Sequence, residues 1–278
     1  MWDITIGETL RSIYEKDVFG KRPPECLYGS KKMWAYLNHQ GKLVARCTIE
    51  RLMRDRGYKG VTGQKKVRTT MVDPMAKRAP DLVMRNFRPS KPNKLFVSDF
   101  TYVLLLSGFG YTAFVIDAYT DFIVGFSCSS TKDVSLVEKA INESSSLRAN
   151  QNIKLNGSTT CHSDAGSQYT SIHYSETLFL QGLTPSIGTV GDAYDNALAE
   201  SIIGLYKTEC IRADSPFRNG SIKNISDLEE MTSRWVYWFN NERLLHRVRL
   251  ITPVEAEANY FKSVCCSQNY DDNTVIHR

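Results

Sequence analysis

Three acids stand in settings where a carboxylate could do chemistry. Asp99 lies inside the apolar run Leu95-Phe96-Val97-Ser98-Asp99-Phe100-Thr101-Tyr102, Asp164 follows Cys161-His162-Ser163, and Glu200 lies in the stretch 192–209. A carboxylate inside a core strand is costly unless something compensates it. A divalent cation would do so, because hard oxygen ligands match Mg²⁺ and three carboxylates with water could hold two ions. Two such ions about 3.5–4 Å apart activate the attacking oxygen and stabilise the leaving oxygen of a phosphodiester. The residues alone leave a plainer reading open, in which the aspartates belong to turns and Glu200 is a solvated charge.

The stretch 192–209 reads as an amphipathic helix. Asp195 has the side chain of an N-cap, and Leu198, Ile202 and Leu205 recur at the steps of a buried stripe. Glu200, Gly204 and Lys207 line up on the opposite face as an acid, a gap and a cation. Upstream, 94–106, 111–117 and 122–127 read as three antiparallel strands, followed by a helix at 134–147, a strand at 158–164, a helix at 172–181 and a strand at 183–186. Beyond Pro216 the pattern is helical again, at 225–240 and 253–262. This order predicts a mixed α/β sheet with helices on its faces.

The front of the chain differs in composition. Residues 1–92 hold 20 Lys/Arg against 9 Asp/Glu, and the remainder 15 against 21, so +11 is followed by −6. A polyanion bound by the first third would explain this, and so would a solvated basic surface. Helices are expected at 6–16, 31–39 and 48–56, with Ser30 and Thr48 as caps of the second and third. The third displays Arg46, Arg51, Arg54 and Arg56 around a narrow apolar stripe, as a helix entering the DNA major groove would. A basic helical bundle without nucleic acid is the alternative. From 61 to 92, basic residues alternate with Pro74, Pro80, Pro89 and Pro92, which fits a linker that tracks phosphates or a solvated tether.

Some classes are excluded. No run approaches a membrane span, and the N-terminus lacks the features of a secretory signal, so an intracellular protein is expected. Seven cysteines without a Cys-x-x-Cys fit reduced thiols, and the five histidines do not join them at zinc-finger spacing.

The motifs Val97-Ser98-Asp99-Phe100-Thr101-Tyr102, His162-Ser163-Asp164-Ala165-Gly166-Ser167-Gln168-Tyr169 and Tyr194-Asp195-Asn196-Ala197-Leu198-Ala199-Glu200-Ser201 resemble the DDE core of bacterial insertion-sequence transposases. Specifically, the resemblance is to the OrfB subunit of the insertion sequence 3 family, related to retroviral integrases, and the 35 residues between Asp164 and Glu200 match its spacing. Tyr28-Gly29-Ser30-Lys31-Lys32-Met33-Trp34 is similar to its helix-turn-helix, and Trp238-Phe239-Asn240-Asn241 and Pro253-Val254-Glu255-Ala256 to its C-terminal segment. Departures are Phe96 in place of a frequent Trp, Ala165 in place of Arg or Lys, and Val248-Arg249-Leu250 in a usually glycine-containing stretch. None removes a proposed ligand.

The resemblance implies an RNase H-like sheet at 93–212, a helix-turn-helix domain at 1–60, a basic linker at 61–92 and a helical segment at 213–278. It carries over Asp99, Asp164 and Glu200 as ligands of two Mg²⁺ ions, with Mn²⁺ as a substitute. The chemistry implied is nicking at an element end, then joining of the 3′-hydroxyl to another strand. A stand-alone nuclease and a DNA-binding regulator derived from a transposase are the alternatives. Partners would be terminal repeats and target DNA, further copies of the chain, and an upstream OrfA product or frameshift fusion, all at the bacterial nucleoid.

Lys31, Lys32, Arg46, Arg51 and Arg54 are the expected DNA contacts of the front. Lys207 would reach a phosphate beside Glu200, or be a plain exposed lysine. Gln168 and Tyr169 would position DNA, or serve packing and loop hydrogen bonding. Asp117 caps a turn or adds a carboxylate near the metals, and His162 is expected to be structural.

Overall fold

The computed structural model describes residues 2–62, 79–84, 86–164, 168–188 and 196–272. Asp192, Asp195, Ala165 and the linker residues 63–78 and 85 lie outside them.

The front folds as α1 (Trp2–Tyr14), a 3₁₀ turn at Pro24–Leu27, α2 (Ser30–His39) and α3 (Arg46–Asp55). Ser30 and Thr48 are not caps: Gly29 and Ala45 hold those positions, and neither supplies a side-chain bond. Apolar residues at helical spacing hold the helices together instead, with Met33 and Leu37 of α2 and Ile49, Leu52 and Met53 of α3 all buried.

Five strands follow: β1 (Leu95–Leu105), β2 (Gly108–Asp117), β3 (Ile123–Ser129), β4 (Thr159–Ser163) and β5 (Leu183–Ile187). Their order is β3-β2-β1-β4-β5, with β1, β2 and β3 antiparallel and β4 and β5 added parallel to β1. The parallel additions need crossovers. Helix α4 (Val134–Asn150) makes the first and α5 (Ile172–Leu180) the second. The expected antiparallel trio and mixed sheet are both present.

Side chains alternate across the sheet and divide the interior in two. Phe96, Ala113, Val115, Val124, Cys161 and Leu183 pack under α4 and α5. At Gly125 an added Cβ would lie 2.2 Å from the Ala140 carbonyl oxygen, so glycine is what lets α4 approach β3. On the other face Leu95, Val97, Val103, Phe114 and Ile116 join α6 (Ala197–Tyr206), α7 (Ile225–Asn241) and the helices of the front in one continuous core. Val83 is buried in that core, so this part of the 61–92 segment is packed and is not a solvated tether.

The last helix, α8 (Pro253–Asp272), begins with a capping box: the Thr252 Oγ1 accepts from the Glu255 N–H at 3.2 Å, and the Thr252 N–H donates to Glu255 at 2.8 Å. It brings Glu257 to the fully buried Arg148 of α4, 2.8 Å away, which also faces Asp117 at 3.4 Å. Asp117 accepts from the N–H groups of Asn93 and Tyr119 at 2.6 and 2.8 Å. It closes the turn after β2, as the capping reading had it.

Removing one partner of a buried charge network strands the others without compensation. Arg148→Ala is therefore expected to lower stability by about 3–5 kcal/mol, read by chemical denaturation.

Candidate active site

The last rung of the parallel β1/β4 ladder is Ser98 opposite Ser163. Asp99 and Asp164 are the next residues of the two chains. They leave the ladder side by side and, by the period of two, on the same face. On β2 the residue opposite Asp99 is Phe114, whose ring packs edge-on against Tyr206 of α6, so this is the face that α6 covers.

Helix α6 is pinned at both ends. At its start the Asn196 side-chain amide donates to the Ser98 carbonyl at 3.0 Å, one residue from Asp99. At its end the Tyr206 hydroxyl lies 2.7 Å from Thr232 Oγ1 on α7 and 3.3 Å from Thr112 Oγ1 on β2. The buried residues between are Ala199, Ile202, Ile203 and Tyr206. Leu198 and Leu205 are only partly buried, so the apolar face lies to one side of the expected 198, 202, 205 stripe. The residue before the helix is Asn196, and Asp195 lies outside the described residues. Beyond Tyr206 the backbone widens into a π turn, Lys207–Ile211, closed by the Arg212 N–H to the Lys207 carbonyl at 3.1 Å.

This framework keeps Glu200, Gly204 and Lys207 off the buried face of α6. Burial pushes the Asp99 carboxyl well above the ordinary carboxylate range, and the Asp164 and then Glu200 carboxylates push it the same way. The Phe100 N–H, 2.8 Å from Asp99 Oδ1, and the Lys207 ammonium oppose them. Three acids and one cation thus share one electrostatic neighbourhood. Lys207 is exposed, with its ammonium 4.9 Å above the Tyr102 ring.

Other expected residues lie elsewhere. Tyr169 is fully buried against Phe100 and Tyr174, so it is not a surface contact to DNA; packing is its role. Its hydroxyl is pushed well up by burial and then by Asp99 and Asp164. The Gln168 amide donates to the Lys132 carbonyl at 2.8 Å, which is the loop bond rather than a free reach toward DNA. His162 is buried, with Nδ1 2.9 Å from Ser186 Oγ and its ring against Phe87, the structural role expected of it. Arg46, Arg51 and Arg54 are exposed on α3, where Arg46 pairs with Glu50 at 2.7 Å and Arg51 and Arg54 approach Asp55 at 3.9 and 4.0 Å. Lys31 and Lys32 lie in the first turn of α2, facing α6 across a cavity. The residue missed was Asn196, whose only signal was an amide just before a helix.

Comparison with known proteins identifies the family. Residues 89–193 and 181–253 match family models described as integrase core domain, and residues 10–66 match an HTH-like domain. The transposase assigned to insertion sequence element IS986/IS6110 of Mycobacterium tuberculosis is 47% identical over 235 residues, 84% of this chain and 83% of that protein. The transposase of element IS629 of Shigella sonnei is 43% identical over 238 residues, 86% of this chain and 76% of that one. The chain belongs to the insertion sequence 3 family of transposases.

The transposase has the expected fold, a mixed integrase-type sheet flanked by helices behind a helix-turn-helix front. Its chain superposes on that of a simian T-cell lymphotropic virus intasome with a TM-score of 0.51 at 12% identity, covering 81% of this chain and 70% of the other, a likeness of fold. An integrase core makes the transposase a polynucleotidyl transferase, with DNA as its partner. Among the described residues no helix is long and apolar enough to cross a membrane.

The burial of Tyr169 separates its two readings by experiment. Tyr169→Phe keeps the ring and is expected to leave DNA affinity unchanged in a gel-shift titration. Tyr169→Ala empties a core site and is expected to cost about 3–5 kcal/mol of stability.

Proposed function

We propose that Asp99, Asp164 and Glu200 form the centre with which this transposase cuts DNA at an element end and joins the freed 3′-hydroxyl to another strand. The observation that carries the reading is the end of the β1/β4 ladder, where two aspartates emerge together in the field of a glutamate. Asp99 in the field of two further carboxylates, with Lys207 as the cation in that field, offers oxygen donors that suit a hard divalent ion. Among the described residues no three acid, histidine or cysteine side chains already stand close enough to hold one, and residues 165–167 and 189–195 lie outside them. The fit rests on donor chemistry and on the like-charge field at Asp99. Two Mg²⁺ ions, or Mn²⁺ in their place, would when bound acidify the attacking oxygen and take up charge at the leaving one.

The chain's own residues do the positioning. The ladder fixes the two aspartates relative to each other, the Asn196 and Tyr206 contacts fix the helix carrying Glu200, and Lys207 offers a cation to a phosphate on the same face. Arg46, Arg51 and Arg54 on α3, with Lys31 and Lys32 on α2, turn toward DNA. On this reading 1–60 binds element ends, 61–92 links, 93–212 carries the reaction and 213–278 braces it. Homo-oligomers on paired ends, an upstream OrfA product and a location at the nucleoid complete the proposal.

A strand-transfer assay on element-end DNA tests it. Asp99→Asn, Asp164→Asn and Glu200→Gln are each expected to lower Mg²⁺-dependent joining by more than about a hundredfold. Full activity in all three would defeat the assignment, and cutting without joining by the native chain would make it a nuclease.

A further inference from the structure

Between the first turn of α2 and the C-terminal half of α6 lies a cavity of about 630 Å³. Lys31 and Lys32 line it from α2, Ser201 and Gly204 from α6, and Arg243 and His246 from the segment after α7. Its one carboxylate, Glu209, is already occupied: Arg243 Nε donates to both its oxygens at 3.1 and 2.9 Å and Nη2 to Oε1 at 2.5 Å. Neither Lys31 nor Lys32 makes an ion pair among the described residues; the Lys32 ammonium lies 5.5 Å from the Tyr28 ring centre. Burial and the Arg243 guanidinium push Lys32 down to about 7, and burial, Lys32, Lys31 and Arg243 lower His246 in turn. Near neutral pH Lys32 and His246 are therefore only partly charged in the free chain, and an anion entering the cavity would draw protons onto both.

Two further features point the same way. Gly29 caps α2 without a side-chain bond, and the first intrahelical bond is the Met33 N–H to the Gly29 carbonyl at 3.0 Å, which leaves the amides of Ser30, Lys31 and Lys32 without helical acceptors. In α6, glycine at position 204 weakens the helix, yet an added Cβ would meet nothing within 4 Å. Packing does not require glycine there, and its bare backbone opens into the cavity.

We propose that this cavity holds a phosphodiester of the DNA strand lying across Asp99, Asp164 and Glu200, so that the strand's backbone clamps the front of the chain to the core. Gly204 is four residues, about 6 Å of helix rise, beyond Glu200 on the same line of α6, which sets the bound phosphate next to the reacting one. The clamp rests on the catalytic reading above.

Binding of the full chain to a short labelled DNA duplex, followed by fluorescence anisotropy in EDTA over a salt series, tests it. Replacing both lysines, Lys31→Gln with Lys32→Gln, is expected to lower the slope of log K against log salt by about 2 and to weaken binding equally for all sequences. Lys32→Arg should restore its share. Gly204→Leu keeps every charge and sits on the core, and by filling the cavity it is expected to weaken binding about tenfold. If circular dichroism shows that variant unfolded, His246→Glu at an exposed position serves instead, with the same expected direction. Wild-type affinity in Gly204→Leu, or an unchanged slope in the double lysine variant, overturns the proposal. No divalent ion is present, so the outcome is independent of cutting. Binding that behaves as expected in a chain that cannot join strands would sink the catalytic assignment alone, and normal joining with an unchanged slope would sink the clamp alone.

Discussion

A buried aspartate set beside two further carboxylates is the constraint on which the arrangement turns. Asp99 and Asp164 are forced together by backbone pairing, since the ladder that ends at Ser98 and Ser163 leaves the next residues no other place. Burial does most to make Asp99 resist ionisation, and the Asp164 and then the Glu200 carboxylates add to it. A protein keeps such a grouping only if the surrounding structure over-determines it. Asp99 lies in β1 and Asp164 directly follows the end of β4, so the hydrogen bonds of the ladder resist their separation.

The third acid comes from a helix, and helices slide. Two polar contacts at opposite ends of α6 prevent that, Asn196 to the Ser98 carbonyl and Tyr206 to Thr112 and Thr232. The π turn after Tyr206 then brings Glu209 inward, where Arg243 meets it in the core. The same region reaches the front of the chain: the Tyr28 hydroxyl donates to the Glu242 carbonyl at 3.2 Å and accepts from the Leu244 N–H at 3.1 Å, and the Trp238 indole donates to Glu25 at 3.3 Å. The helices of the front are thus part of one framework with the catalytic face.

What could be read from the sequence was what depends on local period and on motif. The strands and the mixed sheet follow from alternation and from turn positions, and the grouping of Asp99 with Asp164 from the motifs that carry the family resemblance. On α6 the expected residues Leu198, Ile202 and Leu205 do pack against the core, but the buried face is centred to one side of them, on Ala199, Ile203 and Tyr206, where Tyr206 meets Thr112 and Thr232 from far away in the chain. Tyr169 follows polar residues in the Asp164 motif, and only the fold shows it turned into the core under α5. The caps expected at Ser30 and Thr48 failed for a similar reason: hydroxyl residues near a helix start signal a cap, yet the chain entered each helix one to three residues earlier. Glu209 and Arg243 carried no signal, being 34 residues apart and polar.

Charge count alone also placed the basic surface too simply. The arginines of α3 that gave the front its positive character face acids on their own helix, at 2.7 Å for Arg46 and Glu50 and near 4 Å for those around Asp55. Exposed pairs of this kind are weak and screened, so they yield readily to a phosphate, but each exchange gives back part of what the phosphate gains. Lys31 and Lys32 surrender no partner of that kind. Affinity for a polyanion therefore concentrates where α2 faces α6, close to the acids, rather than where the formal charge is densest. A strand drawn there is already beside Glu200.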